Sequence, residues 1–185
     1  MTLKERIDRI IHTSEIELAG GAYKGKYELG NRKSITSFIL NKLRKPYTNL
    51  STGDKIIISR QSSEKLATHS GEVYQKTIVH IPQIIENMQF LAEMKPDKEN
   101  ASFDNYSYYI TGINIDSESY IVLSTVGRKN QEIYYDQNIF KGTPEEVFAK
   151  AKDETNDTKY SRLNEILKNV DNNKNGDWEL YQGST

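Results

Sequence analysis

Two neighbouring runs rich in tyrosine and β-branched residues, Tyr106–Ile115 and Ser119–Val126, meet at the polar stretch Asp116-Ser117-Glu118-Ser119. Such side chains suit a pleated, packed surface, and a short polar connection between two of these runs predicts an antiparallel hairpin. Glu132–Asp136, after the turn Arg128-Lys129-Asn130-Gln131, predicts the next strand of a meander. The residues ahead of the meander are mostly helical in pattern. Helices followed by consecutive antiparallel strands argue for an α+β architecture and against a doubly wound sheet. The expected fold has N-terminal helices packed on a small antiparallel sheet of about four strands, with a C-terminal helix and a flexible tail hanging from it.

Local signals place the elements. Thr2 and Glu5 form a capping-box pattern at the head of Thr2–His12, with Leu3, Ile7, Ile10 and Ile11 on one stripe. His12 lies on this helix and is assigned no role. Gly20–Asn31 holds four glycines and reads as loop, with a short extended piece at Tyr23–Leu29. Ser34–Arg44 is a second amphipathic helix, stopped by Pro46. Lys55–Ser59 is a strand behind a Gly53 turn, Ser62–Ser70 is a short helix, and Pro82 suits the first turn of a helix running to about Met88. Gln89–Lys95 fits both helical periodicity and strand alternation. Thr143, Pro144 and Glu146 mark another helix start. A charged linker, Asp153–Lys159, leads to an amphipathic stretch at Tyr160–Val170, with Leu163, Ile166, Leu167 and Val170 on one face. The chain divides into a helix and Gly-rich loop (1–33), an α+β domain (34–152), and a linker, helix and Asn-rich tail (153–185).

Composition narrows the function classes. A net charge of −1 does not support nucleic-acid binding through bulk charge, so any phosphate contact has to come from a local patch. The absence of cysteine excludes disulfides and thiolate zinc sites. No apolar run is long enough to span a bilayer, and the charged start Met1-Thr2-Leu3-Lys4-Glu5-Arg6 does not resemble a secretory signal. The expectation is a cytoplasmic protein without a membrane partner.

The chemistry concentrates between Tyr47 and His80. The strand at Lys55–Ser59 delivers Arg60 at its end, Lys65 and His69 follow at i, i+4 spacing, and His80 precedes a helix start. A guanidinium, an ammonium and two imidazoles are the groups that hold a phosphate and move a proton without a metal or other cofactor. In RNA cleavage by the adjacent 2′-hydroxyl, His69 and His80 are the candidate proton-transfer pair, with Lys65 beside them. Arg60 and Arg128 are candidate phosphate ligands, and Thr125 could add a hydroxyl. Tyr109 and Tyr135 could stack on a base or donate to phosphate.

The motifs N-L-S-T-G-D-K-I-I-I-S-R, S-S-E-K-L-A-T-H-S and I-Y-Y-D make the stretch from Ser34 to Ile139 resemble a known family. It is the large polyvalent protein-associated domain of the barnase–EndoU–colicin–RelE-like nuclease superfamily, found in very large proteins of phages and conjugative elements. The resemblance implies a barnase- or RelE-like fold and favours a strand at Gln89–Lys95. It does not by itself establish nuclease activity; RNA is the partner that the endoribonuclease reading expects, and toxin relatives suggest a cognate inhibitor. A larger parent polypeptide or another protein partner fits the same resemblance.

Each candidate has a structural alternative. His69 can cap the end of its helix, His80 can be a structural group before Pro82, and the tyrosines can pack the sheet. Fold does not imply function, so a non-catalytic module binding nucleic acid or protein stands beside the endoribonuclease reading. In the tail, Asp171, Asn173, Asn175 and Gly176 match the opening of a calcium-binding EF-hand loop, but Gln182 replaces the bidentate Glu at position twelve. A flexible tail without a metal is the preferred reading there.

Overall fold

The computed structural model describes residues 1–95, 103–129, 132–153 and 157–172. Helix α1 (Leu3–Ile11) precedes a short strand, β1 (Ile16–Leu18). Helix α2 (Arg32–Phe38) runs into a π-helical turn at Ile39–Leu43. Strands β2 (Tyr47–Thr48) and β3 (Lys55–Ile56) pair around the loop between them. Helices α3 (Arg60–Leu66), α4 (Glu72–Thr77) and α5 (Ile81–Asn87) follow, the last two joined by a 3-10 turn at Ile78–His80. Strands β4 (Gln89–Met94), β5 (Asn105–Ile115), β6 (Glu118–Lys129) and β7 (Glu132–Lys141) come next, and helices α6 (Pro144–Lys152) and α7 (Ser161–Asn172) complete the described chain. Thr2 and Thr143 cap α1 and α6 as their sequences predict.

Strands β5, β6 and β7 form the expected antiparallel meander, with Tyr109 opposite Ser124 and Ser124 opposite Gln137. The β5–β6 turn puts Asp116 and Ser117 both at positive φ, 52° and 65°, as a type I′ hairpin requires. β4 pairs antiparallel with β5, which resolves the ambiguous segment as a strand. β1 pairs in parallel with the rest of that edge, from Ile16 opposite Ile113 to Leu18 opposite Ile115. Among the described residues the sheet therefore has five strands where about four antiparallel ones were expected. Three residues of β1 are too few to show alternation. The extended piece expected at Tyr23–Leu29 is instead a run of turns, with Gly25 at φ 78° and Tyr27 buried.

Helices cover both faces of the sheet, where the sequence suggested only an N-terminal helical layer. On one face Tyr109, Ile113, Val122, Val126 and Tyr135 pack against Ile35, Ile39, Leu66, Ile78 and Ile84. On the other, Tyr108, Ile110, Ile121, Leu123 and Phe140 meet Leu3, Ile10, Val147, Phe148, Leu163 and Ile166. Burial on both faces accounts for the near-continuous apolar runs of β5 and β6. Helix α7 is thus a wall of the second core and not a pendant. The side chains from Asn169 onward, including Val170 and the EF-hand-like segment, lie outside the described residues, as does the tail. Among the described residues no helix is long and apolar enough to cross a membrane.

The β5–β6 turn carries a side chain where glycine is favoured. Left-handed backbone costs an L-residue roughly 1–2 kcal/mol, partly offset in glycine by the larger entropy of its unfolded chain. Ser117→Gly should therefore raise the unfolding free energy by about 0.5–1 kcal/mol in urea titration. An unchanged or lowered value would show that the serine side chain contributes contacts that outweigh the strain.

Candidate functional site

The loop between β2 and β3 is organised by one buried side chain. Asn49 donates through Nδ2 to the carbonyls of Ile85 (2.8 Å) and Met88 (2.7 Å). Its Oδ1 accepts from the backbone N–H of Ser51 (3.1 Å) and Thr52 (3.0 Å) and from both their hydroxyls. Gly53, at φ 76°, closes the turn. The loop delivers Asp54, which is buried, to the sheet. Asp54 Oδ2 accepts from the Tyr109 hydroxyl (3.1 Å) and from Arg128 Nη2 (3.0 Å), while Arg128 Nη1 donates to Ser107 Oγ (2.8 Å). The charge of Arg128 is thus neutralised inside the fold.

A second cluster forms where α3 and the loop after it pack along β7. Helix α3 ends at Leu66, so His69 lies in that loop and not on the helix face expected from its spacing. It still converges with Lys65, because both reach Asp136. Lys65 Nζ is 3.8 Å from Asp136 Oδ2, and His69 Nε2 is 3.6 Å from Oδ1. The imidazole stacks on Tyr74, with centroids 4.0 Å apart and planes 17° apart. His69 Nε2 and Asp136 Oδ1 are both buried and have no hydrogen-bond partner among the described residues. A separation of 3.6 Å is too long for a hydrogen bond. Lys65 lies over the Tyr134 ring at 5.6 Å. Its pKa is raised, first by the Tyr134 hydroxyl and then by the Asp136 charge, against an opposing effect of burial. A cleft of about 440 Å³ opens beside His69 and Tyr74 and extends past Asn138 to Lys141 and Lys159.

The other candidates are dispersed. Thr125 is the cross-strand neighbour of Asp136 and half-buried. His80 donates through Nε2 to the Ala19 carbonyl (2.8 Å), a tautomer required because a carbonyl only accepts. Ala19 follows Leu18, which is level with Ile115, whereas Asp136 is level with Thr125 and so with Tyr108. The strand rise places the two positions roughly 23 Å apart along the sheet, and they lie on opposite sides of the β5–β6 pair. The structure does not assemble the two-imidazole pair. Arg60 is exposed and pairs with Glu64 at 3.7 Å. Tyr109 and Tyr135 are fully buried, so neither ring offers a face to a base. The Tyr135 hydroxyl donates to Gln137 Oε1 (2.8 Å) and shares a hydrogen bond with Ser124 (3.1 Å).

Sequence reasoning missed the two carboxylates, Asp54 and Asp136. Both stand at the ends of motifs already singled out, N-L-S-T-G-D and I-Y-Y-D. Weighing the charge partners of the cations would have found them.

Two expectations follow. Asn49→Ala leaves several buried carbonyl and N–H groups without partners, at about 1–3 kcal/mol each where water does not replace the bond. Chemical denaturation should show a loss of about 3 kcal/mol or more, and a loss under about 1 kcal/mol would mean that the loop is not held by this side chain. Glu93, opposite Ser107, has its pKa raised by burial, with Arg128 pulling the other way and Asp54 adding to the rise. The folded carboxyl keeps its proton to higher pH than the unfolded one, so its ionisation removes stability as pH rises above about 4.3. Glu93→Gln should gain on the parent in thermal unfolding between pH 4 and pH 7; a constant difference between the two would refute the assignment.

The family model of large polyvalent protein-associated domain 3 matches residues 26–135, from the loop before α2 into β7. No curated protein and no solved structure matches the chain. The match takes in the Asn49 loop, Asp54, Lys65, His69 and Arg128, and it covers more than half of the sequence. The chain belongs to the large polyvalent protein-associated domain 3 family.

Proposed function

We propose that the chain is a nuclease-fold module of a mobile genetic element, acting as a metal-independent endoribonuclease centred on His69, Asp136 and Lys65. The observation that carries this reading is the buried His69–Asp136 pair, unsatisfied among the described residues, whose imidazole borders a cleft. Catalytic hydrogen bonds are often long without substrate and tighten in the complex. Buried polar atoms without partners are rare enough to call for an explanation.

In this scheme His69 takes the proton of a ribose 2′-hydroxyl, and the freed O2′ attacks the adjacent phosphorus. The bond from phosphorus to the 5′-oxygen breaks. The 5′-oxygen takes a proton from solvent at the open cleft, leaving a 2′,3′-cyclic phosphate and a 5′-hydroxyl. Asp136 stabilises the imidazolium. Lys65, whose raised pKa keeps it charged, offsets charge on the phosphorane, and Lys159 attracts the strand into the cleft, while Lys141 is held by Glu118 at 3.3 Å.

The alternative, a non-catalytic binding or accessory module on the same fold, draws support from the isolation of His80 and the internal pairing of Arg128. There the dyad only ties the α3–α4 loop to β7. Incubating the parent, His69→Ala, Asp136→Asn and His80→Ala with a varied RNA pool in EDTA separates the readings. The endoribonuclease reading expects cyclic-phosphate ends from the parent, a loss of about 100-fold or more in His69→Ala, a smaller loss in Asp136→Asn and none in His80→Ala. A folded parent that cleaves nothing transfers the assignment to the binding module.

A further inference from the structure

The segment Leu29–Gly53 contains five basic residues, Arg32, Lys33, Lys42, Arg44 and Lys45, and no acidic one, in a chain of net charge −1. All five are exposed. Among the described residues none of them forms an ion pair. They emerge from the two ends of one helical rod, α2 and its π-helical turn. The rod's apolar side chains, Ile35, Ile39 and Leu43, are buried in the core and fix its orientation. A groove of about 610 Å³ runs beside it, where Arg32 and Lys33 are joined by Thr36, Ser37, Asn41 and Glu64. Glu64, the acidic residue in this lining, is the one that Arg60 neutralises.

We infer that the exposed basic residues of this rod, Arg32 and Lys33 in the groove and Lys42, Arg44 and Lys45 at the far end, bind the phosphate backbone of a nucleic-acid strand, at a site separate from the His69 cleft. Unpaired like charges along one rod repel one another, and an anionic partner removes that repulsion. Arg and Lys beside small hydroxyl and amide side chains are the groups that contact phosphate oxygens. Among the described residues no aromatic side chain lines the groove, so the strand is held by its backbone and not by its bases. The rod spans roughly 18 Å by helical rise, and with Arg44 and Lys45 just past its end its five cations can neutralise about five phosphates. An acidic protein surface would need an apolar centre to anchor it, and Leu40 is the single apolar residue among the described residues that line the groove. Helix α3 joins the two sites: Glu64 faces the groove, and the next residue, Lys65, reaches Asp136. None of the proposed catalytic residues lies among these five, and the rod can bind a strand whether or not the chain cleaves RNA.

The test is fluorescence anisotropy with a labelled deoxythymidine oligomer, which lacks the 2′-hydroxyl and so resists the cleavage proposed above. Plotted as log affinity against log salt, the parent should show a slope of about −3.5, from roughly 0.7 per phosphate neutralised on a single strand. Arg32→Gln with Lys33→Gln should reduce its magnitude by about 1.4. Changing all five residues to glutamine should abolish most of the slope and weaken low-salt binding by about 10-fold or more. These side chains are exposed, so the parent melting temperature is expected in both variants. Equal binding by the parent and the fivefold variant overturns the inference. So does poly-glutamate displacing the oligomer as well as unlabelled oligomer does, because the face would then be a site for acidic protein.

Discussion

The buried carboxamide of Asn49 sets the relation between the helical half of the chain and its sheet. A loop of polar residues cannot enter a core unless its backbone groups find partners. Asn49 meets this condition for two segments at once, accepting from its own turn and donating to the end of α5. Once that loop is seated, Asp54 lies against β5 and β6 and Arg128 has a counter-charge there. A charge pair of this kind is weak evidence for stability in itself, because desolvation opposes the attraction. What it adds is registration: α5, the β2–β3 loop and the strands are compatible in one arrangement. The motif that drew attention as potential chemistry is, by its contacts, architectural.

The same logic of satisfying polar groups explains where the dyad sits. β7 is an edge strand, and an open edge presents unpaired backbone groups. Here the helical layer covers part of it. Ser62 Oγ accepts from the Tyr135 N–H (2.9 Å), and the Tyr74 hydroxyl donates to the Gln137 carbonyl (2.9 Å). Asp136 lies between those two capped residues. The side chains that bring α3 and α4 to the edge thereby carry Lys65 and His69 to Asp136. Farther along, at Asn138–Lys141, the helices draw away and the cleft opens. Edge protection and a candidate reactive centre are consequences of one packing contact.

The meander, both threonine caps and the helix beginning near Pro82 were legible in the sequence because each has a local signature. The convergence of Lys65 and His69 was legible too, although the route differs: the helix stops short and a loop completes the approach. What was not legible is what depends on distant partners. β1 is defined by its parallel neighbour and not by its own three residues. For Tyr109 and Tyr135 the sequence leaves sheet packing and base stacking both open, and the helices that close over them decide for packing. Arg128 looks like a free cation until Asp54, 74 positions earlier, arrives beside it. His80 has the composition of a catalytic group and the position of a strut, because only the fold shows that Ala19 is next to it.

The second helical layer bears on how the family-matched segment should be regarded. Residues 26–135 contain β4, β5, β6 and most of the Asn49-centred layer, but not α1, α6 or α7. Those three elements supply Leu3, Ile10, Val147, Phe148, Leu163 and Ile166, which cover Tyr108, Ile110, Ile121 and Leu123. Without them the second face of the sheet would be a broad apolar surface, of the kind that soluble folds bury or use for association. The matched segment is therefore not a closed hydrophobic unit in this chain. The Arg6 guanidinium bridges the two parts, donating to the Leu91 carbonyl (3.3 Å) and lying over Phe90 at 5.0 Å. The matched segment holds Lys65 and His69, while the flanking segments supply Asp136, which begins just past the match, and the helices that keep its strand in a fully packed sheet. The candidate centre thus depends on parts of the chain that the family pattern does not describe.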